Sequence, residues 1–325
     1  MKQLSIVIPT VGRIEALKIA LIAFKKQIIQ YRDEVELIVS DNGSSDGTKD
    51  ELSDEDNYGW LNYHRYDNQV EYVDSIKRSV SLSCGKYVIL FGDDDVPFPC
   101  FVDSILHLLY QYCNAGLFHF NVIIGKDYGD YVFHNLKLED SHYERAVEVL
   151  KIDKMLYKHP ISMSFITTVV FSRDVWELGL QSLDTALKGY PHLSIWFNGI
   201  QDNDCVFSSV PIAYGRIPYN KDYLDKWPRY FFIEIPMLMK SIDEKGITDH
   251  LYNIWINTPD FKSLTKFCNT LLMASAYKEK YKPLCPEINK YQVNLFRKFL
   301  TYFVIYCVPK NLYGFIRKKI YKQHY

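Results

Sequence analysis

A chain of 325 residues builds one large or two modest domains and can bury a sizeable core. With 38 Lys and Arg against 39 Asp and Glu, its formal net charge is −1, and bulk electrostatics therefore suggest no nucleic-acid partner. Aromatic residues make up 15% of the chain, 26 of them Tyr, a supply of amphipathic side chains for interfaces or sugar stacking.

The seven cysteines (84, 100, 113, 205, 268, 285 and 307) are scattered and never spaced as CxxC. That pattern argues against a disulfide framework or zinc knot and fits reduced cytosolic thiols. The apolar run Leu4–Pro9 is too short for a signal peptide, and no stretch reaches the roughly 18 apolar residues of a spanning helix. A cytoplasmic location is therefore expected.

Residues 4–8 read as a short buried strand ending at Pro9, followed by a helix to about Gln30 with Leu17, Leu21, Phe24 and Ile28 on one face. A second strand, 35–40, runs into the turn-forming Asp41-Asn42-Gly43-Ser44-Ser45-Asp46-Gly47-Thr48. An acidic helix or loop leads to a third strand over 60–65, then a helix over 70–84. The apolar strand 87–91 runs into Gly92-Asp93-Asp94-Asp95, and helix 101–112 and strand 116–124 follow. This alternation predicts an α/β fold with a mainly parallel sheet and helices on both faces. Further on, strands are expected at 166–171 and 206–214 with a helix over 191–200 between them. From about 229 the pattern is helical and aromatic. A boundary near 220–228 divides an α/β domain, 1–225 (halves 1–110 and 111–225), from a helical region, 226–325.

Ligands of open α/β sheets bind at the carboxyl ends of the strands. Three strands here end in polar residues that open onto one edge: Pro9-Thr10 with Arg13, Asp41-Asn42-Gly43, and Asp93-Asp94-Asp95. Three consecutive carboxylates repel one another, and a hard divalent cation such as Mn²⁺ or Mg²⁺ relieves that cost through oxygen ligands. In an extended segment Asp93 and Asp95 point to one side, able to share a metal and ribose task, while Asp94 points away. Asp41 is read either as a contact to a base or ribose or as the start of an Asx turn, with Asp46 capping the next helix.

Taken together, Ser5–Thr10, Arg13, Val39–Thr48, Gly85-Lys86-Tyr87 and Gly92–Asp95 resemble a family-2 glycosyltransferase of GT-A fold, over residues 3 to about 110. The resemblance implies inverting transfer from a nucleoside-diphosphate sugar, UDP by default, with Mn²⁺ or Mg²⁺ bridging the diphosphate. It implies that Pro9, Thr10 and Arg13 line the nucleotide pocket and that Asp41, with Asn42, meets the base. Asp93 or Asp94 would face the ribose and Asp95 would hold the metal, with Asp93 able to share it. Relatives often carry an Arg-Asn pair ahead of Gly-Lys-Tyr; here Ile76-Lys77-Arg78 stands there, so Lys77 or Arg78 is expected at the diphosphate. The usual Glu-Asp pair at the start of a later helix is missing. Its place is taken by Gly189-Tyr190-Pro191-His192-Leu193, which makes His192 the candidate general base. Asp202 and Asp204 are in reserve, and strand 164–171 resembles the acceptor-side wall of the cleft.

Residues 288–325 hold eight Lys or Arg (290, 297, 298, 310, 317, 318, 319 and 322) and no acidic residue, interleaved with aromatic and aliphatic side chains. That mixture suggests contact with an anionic membrane surface, on the inner face of the cytoplasmic membrane, rather than only a helical cap. A lipid-linked saccharide acceptor in O-antigen (lipopolysaccharide) or capsule synthesis fits such a placement. Other classes make different demands. A nucleotidylyltransferase needs a Gly-rich loop after strand 1, and a dinucleotide oxidoreductase needs GxGxxG there; Pro9-Thr10-Val11-Gly12-Arg13 supplies neither. The rival that remains is a non-catalytic carbohydrate- or membrane-binding scaffold that keeps the fold.

Overall fold

The computed structural model describes residues 2–125, 132–133, 147–159, 162–183, 189–216, 226–244, 246, 250, 252–253, 264–292, 295–309 and 311–312. The chain forms two compact units. The first comprises Met1–Met155, Ile161–Asp184 and Pro191–Ile217; the second comprises Leu156–Pro160, Thr185–Tyr190 and Pro218–Tyr325. Most of the boundary expected near 220–228 lies outside the described residues.

In the first unit, strands β1 (Leu4–Thr10), β2 (Val35–Asp41), β3 (Asn62–Arg65) and β4 (Tyr87–Leu90) pair in parallel in the order β3-β2-β1-β4. β1 and β4 are apolar runs with almost no exposed residue, as expected of parallel strands covered on both faces. Helix α1 (Ile14–Gln30) lays Leu17, Leu21, Phe24 and Ile28 on the sheet. The Phe24 ring meets Phe91 and Phe101 edge-on at 4.8 and 5.3 Å, binding α1, the end of β4 and a later helix into one core. Short helices α2 (Thr48–Leu52) and α3 (Glu55–Tyr58) form the acidic connection, and α4 (Tyr72–Ser81) precedes β4.

The sheet then departs from the parallel expectation. After β5 (Val96–Pro97) and α5 (Phe101–Gln111) come β6 (Leu117–Gly125), β7 (Val132–Phe133), β8 (Val147–Leu150) and α6 (Ile152–Lys158). β9 (Val169–Ser172) enters antiparallel between β4 and β6, and α7 (Arg173–Leu180) and α8 (Pro191–Ile200) follow it. β10 (Cys205–Arg216) runs parallel to β6, with register shifts between Ser208 and Ala213, and antiparallel to β5 and β8. Of the expected strand over 164–171, residues 169–171 are strand, in β9, and two 3₁₀ turns, Ser162–Ser164 and Ile166–Thr168, precede it. Because β4 and β6 are both antiparallel to β9, the carboxyl ends of β1, β2, β4, β6 and β10 share one edge.

The second unit is helical. Tyr230–Glu234 forms a π-helical turn that leads into α9 (Ile235–Glu244). The buried Glu234 carboxylate accepts from Arg229 Nε at 2.9 Å and from the Gly189 N–H at 2.8 Å, which explains how a π-turn is held. Helices α10 (Leu264–Ala276), α11 (Lys278–Tyr281), α12 (Cys285–Lys290) and α13 (Leu295–Cys307) complete the described part. Among the described residues, no helix is long and apolar enough to cross a membrane.

Candidate active site

The acidic run is a tight turn and not an extended segment: the Asp95 N–H donates to Gly92 O at 3.1 Å. That turn divides the three carboxylates differently from simple alternation. Asp93 accepts from the Thr10 hydroxyl at 2.8 Å and from Arg13 Nη1 at 3.0 Å, and the same nitrogen reaches Asp94 at 3.3 Å. Asp95 turns inward, where its Oδ2 accepts from the Thr167 hydroxyl and its Oδ1 from the Arg216 N–H at 3.1 Å. The Thr167 hydroxyl also accepts from the Gly92 N–H at 2.9 Å. A Cβ on Gly92 would lie 2.5 Å from Asp95 Oδ2, so only glycine permits this approach.

Electrostatically the two buried carboxylates differ. Burial pushes Asp93 upward, and the Arg13 guanidinium pulls it back. Burial pushes Asp95 well above the usual carboxylate range, and Asp94 and Asp93 add to the shift. Among the described residues Asp95 has two neutral hydrogen-bond donors and no ion pair. A desolvated charge so placed calls for a proton or a cation. Among the described residues, no three His, Cys, Asp or Glu cluster as a complete metal cage. A Mg²⁺ or Mn²⁺ ion bound by one or two carboxylates, with substrate phosphates and water as its other ligands, fits this donor set.

The loop after β2 braces the same edge. Asp41 is fully buried; its Oδ1 accepts from the Ser44 N–H at 2.8 Å and its Oδ2 from the Tyr63 hydroxyl at 2.8 Å, with Arg65 Nε 3.8 Å away. Burial and the bond to Asp41 both push the Tyr63 phenol upward, so it stays a donor. Asn42 is locked to Val70 in both directions, its Nδ2 to Val70 O and its Oδ1 to Val70 N, each at 3.0 Å. Asp46 accepts from the Ile14 N–H at 2.9 Å and from the Thr48 hydroxyl, tying the first turns of α1 and α2 to one carboxylate.

The other candidate residues are held by contacts of their own. Arg78 stacks over the Tyr66 ring at 3.7 Å and donates to Asn42 Oδ1 and Asn68 O; it clamps the loop after β3. Lys77 pairs with Asp74 on the exposed side of α4. All ten residues of α8 are buried, His192 among them, with its ring 5.0 Å from Trp196 and Nε2 3.3 Å from Ser164 O. Burial pulls the imidazole down to about 3, so it stays neutral and packed instead of meeting an acceptor hydroxyl from solvent. Asp202 and Asp204 precede β10, whose far end carries Arg216, so both stand at the edge opposite the acidic turn; Asp204 pairs there with Lys151 at 2.9 Å. Three further contributors had no assigned role in the sequence: Thr167, the Arg216 N–H and Tyr63. For Thr167 the one local hint was a polar Thr pair inside an otherwise apolar run.

Thr167→Val removes both the acceptor for Gly92 and the donor to Asp95. Metal-dependent nucleotide binding, measured by calorimetry, is expected to weaken about tenfold, the value of one buried hydrogen bond near 1.4 kcal/mol. Thr167→Ser, which keeps the hydroxyl, should restore it.

A mixed sheet with helices on both faces and a buried acidic turn at its carboxyl edge defines a glycosyltransferase of GT-A fold. The chain belongs to glycosyltransferase family 2: the family described as Glycosyl transferase family 2 matches residues 5–174, more than half of the chain. No curated protein sequence matches it. Among solved structures, S. aureus TarS 1–349 superposes with a TM-score of 0.58 at 13% identity, covering 93% of this chain and 91% of that one. The same protein has been solved with UDP and with UDP-GlcNAc. The mannosyltransferase PcManGT from Pyrobaculum calidifontis, in complex with GDP-Man and Mn²⁺, gives a TM-score of 0.55 at 12% identity over 96% and 87%. At such identities the likeness establishes the fold.

Proposed function

We propose that this glycosyltransferase moves a sugar from a nucleoside-diphosphate donor to a saccharide acceptor by a single inverting displacement assisted by Mn²⁺ or Mg²⁺. The observation that carries the reading is the divided acidic turn, with Asp93 and Asp94 gathered on Arg13 and Asp95 buried against the Thr167 hydroxyl and the Arg216 N–H. Asp95 is the residue that would hold the metal, and Asp93, two residues before it, would share it. The metal would supply charge neutralisation of the departing diphosphate. Thr10 and Arg13 fix the Asp93 side of the turn toward the ribose, and Asp41 and Asn42 hold the loop expected against the base. In an inverting displacement the acceptor hydroxyl attacks the anomeric carbon from the face opposite the diphosphate and gives its proton to a base, while the bond to the nucleoside diphosphate breaks and the diphosphate leaves, giving one net inversion.

That solved neighbours bind UDP, UDP-GlcNAc or GDP-Man supports a nucleotide-sugar donor here, with UDP the default. The basic, aromatic C-terminal sequence supports a peripheral position on the inner face of the cytoplasmic membrane. It also supports a lipid-linked acceptor in surface-polysaccharide synthesis, O-antigen or capsule. Thermal shift against UDP, GDP, CDP and dTDP, each with and without Mn²⁺, tests the donor reading. One diphosphate should raise Tm only when Mn²⁺ is present; no metal-dependent shift with any of the four would favour a non-catalytic scaffold.

A further inference from the structure

Helix α13 buries one side and exposes an apolar one. Its inner side chains Arg297, Thr301, Val304 and Ile305 are buried, with the Arg297 guanidinium 4.8 Å from the centre of the Phe267 ring. Arg297 is therefore an internal cation, which corrects its expected place in a surface basic patch. The outer side chains are Leu295, Phe296, Phe299, Tyr302, Phe303 and Tyr306, between 44% and 83% exposed, and the exposed Cys307. At 3.6 residues per turn these seven fall within an arc of about 140°, and none carries a charge. Phe299 and Phe303 stack at 6.1 Å, forming a continuous aromatic ridge.

Water disfavours such a ridge, and a contiguous apolar face of this kind marks a contact surface. Charge decides what covers it. Lys290 is exposed at the end of α12, Lys298 borders the arc, and the Lys282 ammonium lies 5.8 Å from the Tyr306 ring centre. Lys310, Arg317, Lys318, Lys319 and Lys322 lie outside the described residues, as do Tyr313, Phe315, Ile316 and Tyr321, but they extend the same composition along the sequence. From 288 to the end no acidic residue occurs, although the whole chain carries net charge −1, so cations are concentrated in this part of the sequence. An uncharged aromatic ridge flanked by cations complements an anionic bilayer surface. Phe and Leu enter the acyl boundary, Tyr hydroxyls stay at headgroup depth, and lysines reach the lipid phosphates.

We infer that the outer face of α13 is a docking surface for an anionic lipid bilayer. The inference deepens the peripheral placement proposed above and is independent of the donor chemistry. The test is cosedimentation of the full chain with phosphatidylcholine vesicles, with and without phosphatidylglycerol. The intact chain should pellet with the anionic vesicles, and Phe299→Ser/Phe303→Ser should lose at least tenfold in partitioning while keeping its Tm. Lys290→Glu/Lys298→Glu should weaken binding to anionic vesicles alone. As a separate readout, Tyr302→Trp fluorescence should be quenched by brominated acyl chains. If the intact chain binds but the double serine variant binds equally, this face is not the contact, while the peripheral reading stands. If the intact chain binds no vesicle, both fail. If the intact chain sediments as a dimer that the serine variant dissolves, a second copy covers the ridge and the bilayer proposal is overturned.

Discussion

Asp95→Asn is expected to abolish metal-dependent donor binding while leaving the ligand-free protein at least as stable as the parent at neutral pH. The argument rests on what Asp95 contributes in each state. Its carboxyl is buried, and its pKa is driven well above the usual range first by desolvation and then by Asp94 and Asp93. A carboxyl raised in the fold binds its proton more tightly folded than unfolded. The stability it contributes is therefore full below the ordinary Asp value and is lost as pH rises through the raised value. Asparagine carries no such charge. Its side-chain oxygen can still accept the Arg216 N–H, and its amide can donate to the Thr167 hydroxyl, which the Gly92 N–H also meets. The stability of the parent relative to the variant should accordingly fall as pH increases across that window, measured by denaturation at a series of pH values.

Ligand reverses the order. A donor with Mn²⁺ at a hundred times its Kd adds about 2.7 kcal/mol to the parent, which for a domain of this size raises Tm by about 5–10 °C. The variant should show no Mn²⁺-dependent rise. Should it bind nucleoside diphosphate with unchanged metal dependence, the metal role proposed for Asp95 is wrong.

The edge that holds these carboxylates was legible because its strands are short apolar runs ending in polar turns. That is a local signal, and β1, β2 and β4 followed from it. Pairing is a long-range property. Nothing local in Val169–Ser172 reveals that β9 inserts antiparallel between β4 and β6. For the same reason Thr167 could be read as part of a strand, whereas its hydroxyl is committed to Gly92 and Asp95, far away in sequence. Arg78 illustrates another gap. A cation near a diphosphate site invites a ligand role, but its guanidinium is engaged by the Tyr66 ring, Asn42 Oδ1 and the Asn68 carbonyl. For His192 a local signal did exist: Pro191–Ile200 contains no Asp, Glu, Lys or Arg, and a helix without a polar face is a buried one.

That burial makes Gly199→Ala the second large effect, one of packing rather than chemistry. Helices α7 and α8 cross backbone to backbone. A Cβ on Gly199 would lie 1.8 Å from Val175 O, and one on Gly179 would lie 1.8 Å from Ile195 O. Neither obstacle is a flexible side-chain tip, so the helices must separate. Alanine gains about 1 kcal/mol of helix propensity over glycine, but overpacking against backbone costs more, about 1–3 kcal/mol and upward. The separation also reaches β9, because Phe171 stacks on Trp176 of α7 at 5.1 Å and meets Trp196 of α8 at 5.6 Å. Thr167 stands just ahead of that strand, so Gly199→Ala should lower Tm by several degrees and weaken Mn²⁺-dependent nucleotide binding without altering any residue of the acidic turn. His192→Ala belongs to the same class. It removes a ring packed on Trp196, so its expected signature is a lowered Tm in proportion to lost activity. A His192→Ala protein with parental Tm and a slowed kcat would instead return the imidazole to the chemistry.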